Sequence, residues 1–154
     1  MMNKYTYIGS YQQKSNKIFV SDPIFDKKSK NFVCEISNVS VGCWKSYINK
    51  DNTNHIISLM VIFDDFKYQN LKKNQWKEVG MIGVDSSTAG IYDYNPYDPE
   101  DVKEYTKINK LYYMLPYGTI SESGYGDGIY SVYIYQHNIF VIGVKIIFVN
   151  KIFN

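Results

Sequence analysis

Arginine is absent from this chain of 154 residues, and all 17 of its basic residues are lysine. Arginine supplies the planar fork of donors that reads guanine edges and binds phosphates through two hydrogen bonds at once. The formal net charge is only +2, and the lysines are spread along the chain. We therefore expect no sequence-specific nucleic-acid partner, although a lysine can still hold a phosphate as a point charge.

Cysteine is scarce, because Cys34 and Cys43 are the only two. They form no CxxC pair, and His55 and His137 make no ligand cluster with them, so the sequence does not support a zinc site. The first ten residues, MMNKYTYIGS, lack the apolar segment of a secretory signal. We interpret the cysteines as buried free thiols in a reducing compartment, the cytoplasm, or the host cytoplasm for a viral protein.

Long apolar runs are missing too. The stretch IFVIGVKIIFVNKIF at 139–153 is the most apolar, but Lys145 interrupts it. A membrane-spanning helix needs about 20 consecutive apolar residues. We therefore interpret this stretch as a buried strand of a soluble protein and expect no membrane partner.

Motifs of nucleophilic and phosphate-binding sites are also absent. VDSSTAG at 84–90 lacks the GxSxG elbow, and no GxxxxGK[ST] loop occurs. His55 follows a polar loop and His137 lies in a predicted hairpin turn, positions that are typical of solvated histidines. These patterns predict no catalytic residue, no metal ligand and no cofactor.

Alternating apolar and polar residues fill most of the chain and predict strands. Segments 42–49 and 55–63 predict one hairpin, and 129–136 with 139–149 a second. VGMIGVD, which ends at Asp85, is expected to pair with AGIYDY after the turn SST. The polar segment DDFKYQNLKKNQWKE is expected to be a loop with at most a helical turn.

One helix is predicted, at 99–115. Asp98 suits its N-cap and Pro99 its first position. Apolar residues recur at spacings of three and four, which favours a buried stripe; they are Val102, Tyr105, Ile108, Tyr112 and Leu115. We expect a single domain over residues 1–154, mainly β (α+β), in which antiparallel sheets form a small sandwich or a partly open barrel with this one helix.

Tyrosine is abundant, with 16 residues. Together with frequent Lys, Asn and Ile, this is typical of an AT-rich genome, and tyrosine also favours strands. The alternative is an aromatic binding surface. The sequence leaves both interpretations open.

Four aspartates lie at predicted strand ends or turns, and several are expected to converge at one rim of a sheet: Asp22, Asp85, Asp93 and Asp127. Gathered carboxylates bind a hard cation, separate their pKa values for acid–base work, or cap turns through hydrogen bonds. The residue types do not decide among these three roles.

The stretch SGYGDG at 123–128 also has two interpretations. Gly-Asp-Gly suits a tight turn, because both residue types accept left-handed backbone. Asp85 precedes three small hydroxyl residues. It either caps a bend or lines a pocket, in which Gly90 allows a ligand to approach the backbone closely. On the second interpretation the ligand-binding residues are Asp22, Asp85, Ser86, Ser87, Thr88, Gly90, Tyr125, Gly126 and Asp127.

Four stretches resemble an uncharacterised family of bacteria, their phages and large DNA viruses, whose members carry SDPCY, NV.pG.W.AYI, GVDSGQAGIFD and SGYGDGSYPVYV. The corresponding stretches here are VSDPIF (20–25), ISNVSVGCWKSYI (36–48), IGVDSSTAGIYD (82–93) and SGYGDGIYSVYI (123–134). Ile24 replaces the family's cysteine, which argues against an essential thiol there, and Ser131 replaces its proline. The resemblance implies one fold over most of the chain and no particular activity.

We expect non-catalytic binding of a small molecule, with sequestration of an anionic or nucleotide-like ligand as its purpose. Stacked tyrosines, Asp85, Asp127 and a nearby lysine would hold the ligand. One alternative is a structural or protein-interaction component, of the immunity or virion type, with tyrosines on an exposed face. Another is a metal- or carboxylate-dependent hydrolase. That hydrolase requires at least two of the four aspartates close together, with pKa values perturbed by burial.

Overall fold

The computed structural model describes residues 4–106 and 110–149. Eleven strands and one α-helix lie in these two ranges. In chain order they are β1 (Thr6–Gln13), β2 (Ile18–Ser21), β3 (Cys34–Ile36), β4 (Gly42–Lys50), β5 (Ile56–Phe63), β6 (Lys77–Val84), β7 (Thr88–Asp93), α1 (Pro99–Thr106), β8 (Tyr112–Leu115), β9 (Gly118–Glu122), β10 (Gly128–His137) and β11 (Phe140–Ile147).

The strands form two antiparallel sheets that pack face to face. The larger sheet has the order β1-β4-β5-β11-β10-β6, and the smaller has the order β3-β2-β7-β9-β8. Both predicted hairpins, β4–β5 and β10–β11, are present. The structure thus confirms a mainly β protein with two antiparallel sheets and one helix, and the described strands close no barrel.

The main core lies between the two sheets. Trp44 of β4 points inward and joins Val20 of β2 and Ile91 of β7 in one cluster, and all three are fully buried. Burial of each such side chain contributes about 1.5–3 kcal/mol. Ser46 is a polar exception, and its hydroxyl is satisfied across the core by Thr119 of β9 at 2.9 Å.

The expected pairing of VGMIGVD with AGIYDY is wrong. β6 pairs with β10 in the larger sheet, whereas β7 pairs with β2 and β9 in the smaller one. Residues 85–87 therefore carry the chain from one sheet to the other. Ile82 of β6 and Ala89 of β7 are both buried in the same core. The apolar residues of the two strands therefore face one core although the strands do not pair with each other.

The helix is shorter than predicted. It begins at Pro99, with the Asp98 carboxylate accepting a hydrogen bond from the Glu100 N–H at 3.0 Å, as the capping pattern predicts. It is described to Thr106, and residues 107–109, which include the predicted stripe residue Ile108, lie outside the described ranges. Residues 112–115 form β8, which pairs with β9. The predicted helix is wrong there: Tyr113 and Leu115, two residues apart, are buried on one face of a strand, whereas the predicted stripe placed Tyr112 and Leu115 on one face of a helix.

Each sheet also has a covered outer face. On the smaller sheet, fully buried Val102 of α1 joins Phe19 in a second cluster. On the larger sheet, segment 64–76 lies over the strands. Its Trp76 ring sits above Gly143, where a Cβ atom would be only 2.9 Å from the ring. The segment is irregular apart from two short 3-10 turns, at Tyr68–Asn70 and Lys73–Gln75.

Both cysteines are free thiols, as predicted, but the predicted burial holds only for Cys34. Cys34 is buried and Cys43 is half-buried. Burial, with a smaller contribution from the charge of Glu35, raises the pKa of the Cys34 thiol to about 11. Among the described residues, none lies in a helix that is both long and apolar enough to cross a membrane.

Tyr92 and Tyr97 give a matched test of the second cluster. Their rings lie 4.4 Å apart. The Tyr97 hydroxyl donates to the Phe25 carbonyl at 2.6 Å, whereas the buried Tyr92 hydroxyl has no partner among the described residues. Tyr92→Phe should therefore raise the free energy of unfolding by about 1 kcal/mol, and Tyr97→Phe should lower it by about 1 kcal/mol. Urea denaturation measures both, and equal losses in the two variants would contradict the assignment.

Candidate functional site

Asp22 lies at the centre of the predicted motif residues. It follows β2 and is fully buried. One carboxylate oxygen accepts the N–H groups of Asp85 and Ser86, each at 2.7 Å. The other accepts the Ser86 hydroxyl at 2.7 Å and the Ile24 N–H at 3.0 Å. Four donors thus replace the water that a buried carboxylate loses, and both oxygens are committed to the fold.

Asp127 holds the next residue of the same turn. Its carboxylate accepts the N–H of Ser87 at 2.9 Å and the Ser87 hydroxyl at 3.1 Å. Ser87 has a positive φ of 61°, which the two contacts help to fix. Gly126 has a φ of 116°, a region open mainly to glycine. The tight turn spans Ser123–Gly126, where the Gly126 N–H donates to the Ser123 carbonyl at 3.2 Å, and Asp127 directly after it anchors the sheet-to-sheet crossover.

The remaining predicted site residues divide between the surface and the interior. Asp85 is exposed and borders a shallow groove of about 320 Å³ with Phe25, Phe32 and Ile129. Thr88 is half-buried, and its hydroxyl contacts that of Ser86 at 2.8 Å. Gly90 is buried inside β7, where the Tyr92 hydroxyl and the Thr119 carbonyl occupy the space of a side chain.

Asp93 does not join the other aspartates. It lies at the far end of β7 from Thr88, about 16 Å away at roughly 3.3 Å per residue. Its buried carboxylate accepts the Lys14 N–H at 2.8 Å and the Ser15 hydroxyl at 2.5 Å, which fixes the β1–β2 loop. Within the described ranges, no three His, Cys, Asp or Glu side chains are grouped so as to hold a metal ion.

Tyr125 links the Gly-rich turn to the β4–β5 loop. It is 67% exposed, and its ring stacks on that of His55 at a centroid distance of 4.0 Å. Its hydroxyl donates to the Asp51 carboxylate. That hydrogen bond is the main reason why the pKa of Asp51 falls to about 2, with further bonds from Thr53 and His55.

The Asp51 cluster does not have the geometry of a nucleophilic triad. The Thr53 hydroxyl contacts both the Asp51 carboxylate, at 2.9 Å, and the His55 ring, at 2.7 Å. The carboxylate lies 3.8 Å from the nearest ring nitrogen, so it does not orient the imidazole as a triad aspartate does. The same carboxylate accepts the N–H groups of Thr53 and His55, which is ordinary capping of a loop.

A second candidate site lies elsewhere, between the outer face of the larger sheet and segment 64–76. It is a cavity of about 380 Å³. The rings of Tyr5, Tyr68 and Trp76 contribute to its walls. Buried Asn49 and Ser58 are at its floor. The Ser58 hydroxyl contacts that of Tyr5 at 2.9 Å, whereas the Asn49 amide has no hydrogen bond within the part of the chain described.

Lys145 of β11 brings a positive charge into this cavity. Its amine lies 4.2 Å from the centre of the Trp76 ring and 5.9 Å from that of Tyr133. Burial, and then the charge of Lys73 at the same cavity, lower the pKa of Lys145 to about 8. Among the described residues that line the cavity there is no Asp or Glu. A negative group would therefore be attracted here without competition from a carboxylate of the described lining.

The sequence interpretation missed this cavity. It treated Lys145 only as an interruption of an apolar run. A lysine inside an otherwise apolar strand is itself a signal, because a charged side chain is seldom placed there without a partner or a function. Trp76 is a weaker indication of a site, because it is a large aromatic residue inside a polar segment. That these two residues meet depends on how segment 64–76 folds back.

Comparison of the chain with family models, curated proteins and solved structures found no match. The family resemblance of the four stretches therefore stays a prediction. Three of them meet at the crossover: Asp22 from the first, residues 85–88 from the third and Asp127 from the last. What these stretches share in the structure is a set of hydrogen bonds that joins the two sheets.

Asp22→Asn tests the structural role of the crossover carboxylate. Donors approach both oxygens, so either orientation of the amide sets its NH₂ group against a donor. The free energy of unfolding should fall by about 2–4 kcal/mol. Asp85→Asn, at an exposed neighbour, is the matched control and should change it by less than about 0.5 kcal/mol. Urea denaturation measures both, and equal effects would show that Asp22 does not hold the turn.

Tyr125→Phe tests the contact between the two loops. A folded-state pKa near 2 means that the contact stabilises the protein above the ordinary pKa of about 4, and that this stabilisation is lost as the pH falls toward 2. Removal of the hydroxyl should move the Asp51 pKa up toward its ordinary range. Carboxyl-carbon NMR titration measures the shift, with Tyr112→Phe as control. An unchanged Asp51 pKa in Tyr125→Phe would refute the contact.

Proposed function

We propose that this protein is a binding domain for a small anionic ligand with a flat aromatic part, and that the ligand binds in the cavity beside Lys145. The observation that carries the proposal is the pair of lysines, Lys145 and Lys73, at an aromatic cavity whose described lining holds no carboxylate. The proposal keeps the ligand class expected from the sequence and moves the site away from the Gly-rich turn.

The shape and lining of the cavity support this ligand class. Its volume falls within the range of about 300–1,000 Å³ that is usual for small-molecule sites. Trp76 and Tyr68 offer ring faces for stacking. The buried Asn49 amide offers both a donor and an acceptor that the described residues leave unused, and a ligand would gain from satisfying them.

Binding without turnover fits this lining better than hydrolysis. The described lining residues include no Asp, Glu, His or Cys, so this part of the wall lacks the usual carboxylate and imidazole acid–base groups. A carboxylate hydrolase at the crossover has less support. Both oxygens of Asp22 are occupied by donors, and Asp93 lies at the other end of β7.

The fluorescence of Trp76 provides a direct test. Trp76 lines the cavity, whereas Trp44 is buried in the core, so Trp76→Phe identifies which signal responds. The probes are the four ribonucleoside 5′-monophosphates, phenyl phosphate and benzoate. We expect at least one of them to bind with a Kd below about 1 mM and to change the fluorescence of Trp76.

Two lysine variants localise the binding. Lys145→Gln should weaken the best probe at least about tenfold, because it removes a charge–charge interaction in a partly desolvated site. Lys28→Gln makes the same charge change at an exposed position outside the cavity and should have no effect. No response of Trp76 to any probe at millimolar concentration, or equal losses in both variants, would overturn the proposal.

A further inference from the structure

The amine of Lys145 differs in its surroundings from the lysine amines that form ion pairs at the surface. Lys17, Lys45 and Lys103 each lie within 4 Å of a carboxylate. The Lys145 amine has no ion pair and no hydrogen bond within the described ranges, and it lies in the cavity against the Trp76 ring. It is thus both reachable by a small molecule and free of an anionic partner.

We propose that Lys145 captures carbonyl compounds as an imine, and that its preferred partner is an aromatic aldehyde that also carries an anionic group. The inference rests on the proposed function, because it needs the cavity to admit a small ligand. The aromatic part would stack in the cavity and the anionic part would lie toward Lys73, which would leave the aldehyde at the Lys145 amine.

The chemistry needs only the amine and the aldehyde. The lone pair of the neutral amine attacks the carbonyl carbon, a C–N bond forms, and proton transfer gives a carbinolamine. Loss of one water molecule then gives the imine, and addition of water reverses the reaction. No oxidant or reductant takes part, so the capture is a reversible covalent binding step.

The charges around Lys145 favour the neutral, reactive amine. Burial lowers its pKa to about 8, and the charge of Lys73 adds to this effect. Among the described residues, the other titratable side chains at the cavity and beside the amine are the phenols of Tyr5, Tyr68 and Tyr133. The neutral fraction of Lys145 therefore rises as the pH passes through about 8, whereas an exposed lysine titrates above about 10.

Borohydride trapping tests the capture. Pyridoxal 5′-phosphate, an aromatic aldehyde with a phosphate, is mixed with the full chain at equimolar concentration. Sodium borohydride then delivers a hydride to the imine carbon and makes the bond permanent. Peptide mapping by mass spectrometry should find labelling of Lys145 at least about ten times that of exposed Lys28 at pH 7.5. Phenyl phosphate, which has no aldehyde, should reduce the labelling of Lys145 and leave that of Lys28 unchanged.

A lysine-to-arginine variant tests the assignment of the label to Lys145. Lys145→Arg keeps the positive charge but has no amine that forms an imine, so total labelling should fall to the level of the exposed lysines. Lys28→Arg is its control and should retain labelling at Lys145. Circular dichroism of both variants checks that they fold. In the unmodified chain, the labelling of Lys145 should rise between pH 7 and pH 9 with a midpoint near 8.

The outcomes separate this inference from the proposed function. Equal labelling of Lys145 and Lys28, with a Trp76 response to the aromatic anions, overturns the imine and leaves the binding proposal standing. Equal labelling without any Trp76 response overturns both. Preferential labelling of Lys145 that phenyl phosphate does not reduce also overturns the inference as stated, because reaction at the amine would then not depend on occupancy of the cavity.

Discussion

The hydrogen bonds to the buried carboxylate of Asp22 hold together the part of the fold on which the rest depends. Residues 85–87 carry the chain from the larger sheet to the smaller one, and their backbone donors need acceptors as they cross. Asp22 supplies two of these acceptors from the end of β2, and Asp127 supplies another from the turn before β10. Both sheets are thereby joined at one corner of the sandwich.

Carboxylates have the same role elsewhere in this protein. Asp93 holds the β1–β2 loop and Asp51 holds the β4–β5 loop, in each case by accepting backbone N–H groups. Such charge-assisted bonds are stronger than neutral ones, and they serve loops that carry little apolar surface. The acidic residues that the sequence suggested for a ligand are thus used largely for structure, whereas Lys145 and Lys73 lie at a cavity whose described lining holds no carboxylate.

The cavity arises from the way the outer face of the larger sheet is covered. Segment 64–76 is too irregular to pack evenly on the strands, and it touches them mainly through large rings. Gly143 lets the Trp76 ring descend onto the sheet, while Asn49, Ser58 and Lys145 lie beneath a part that the segment leaves uncovered. Rings at the walls and polar groups at the floor are what a small planar anion requires.

The sequence by itself determined the local features of this protein. Alternation predicted most of the strands and both hairpins, and Asp98–Pro99 predicted the start of α1. Only the tertiary structure decided that β6 and β7 lie in different sheets, that residues 112–115 form a strand, and that Lys145 meets Trp76. The physical reason is that alternation and capping depend on neighbours in the chain, whereas strand partners and cavities depend on residues brought together by the shared core.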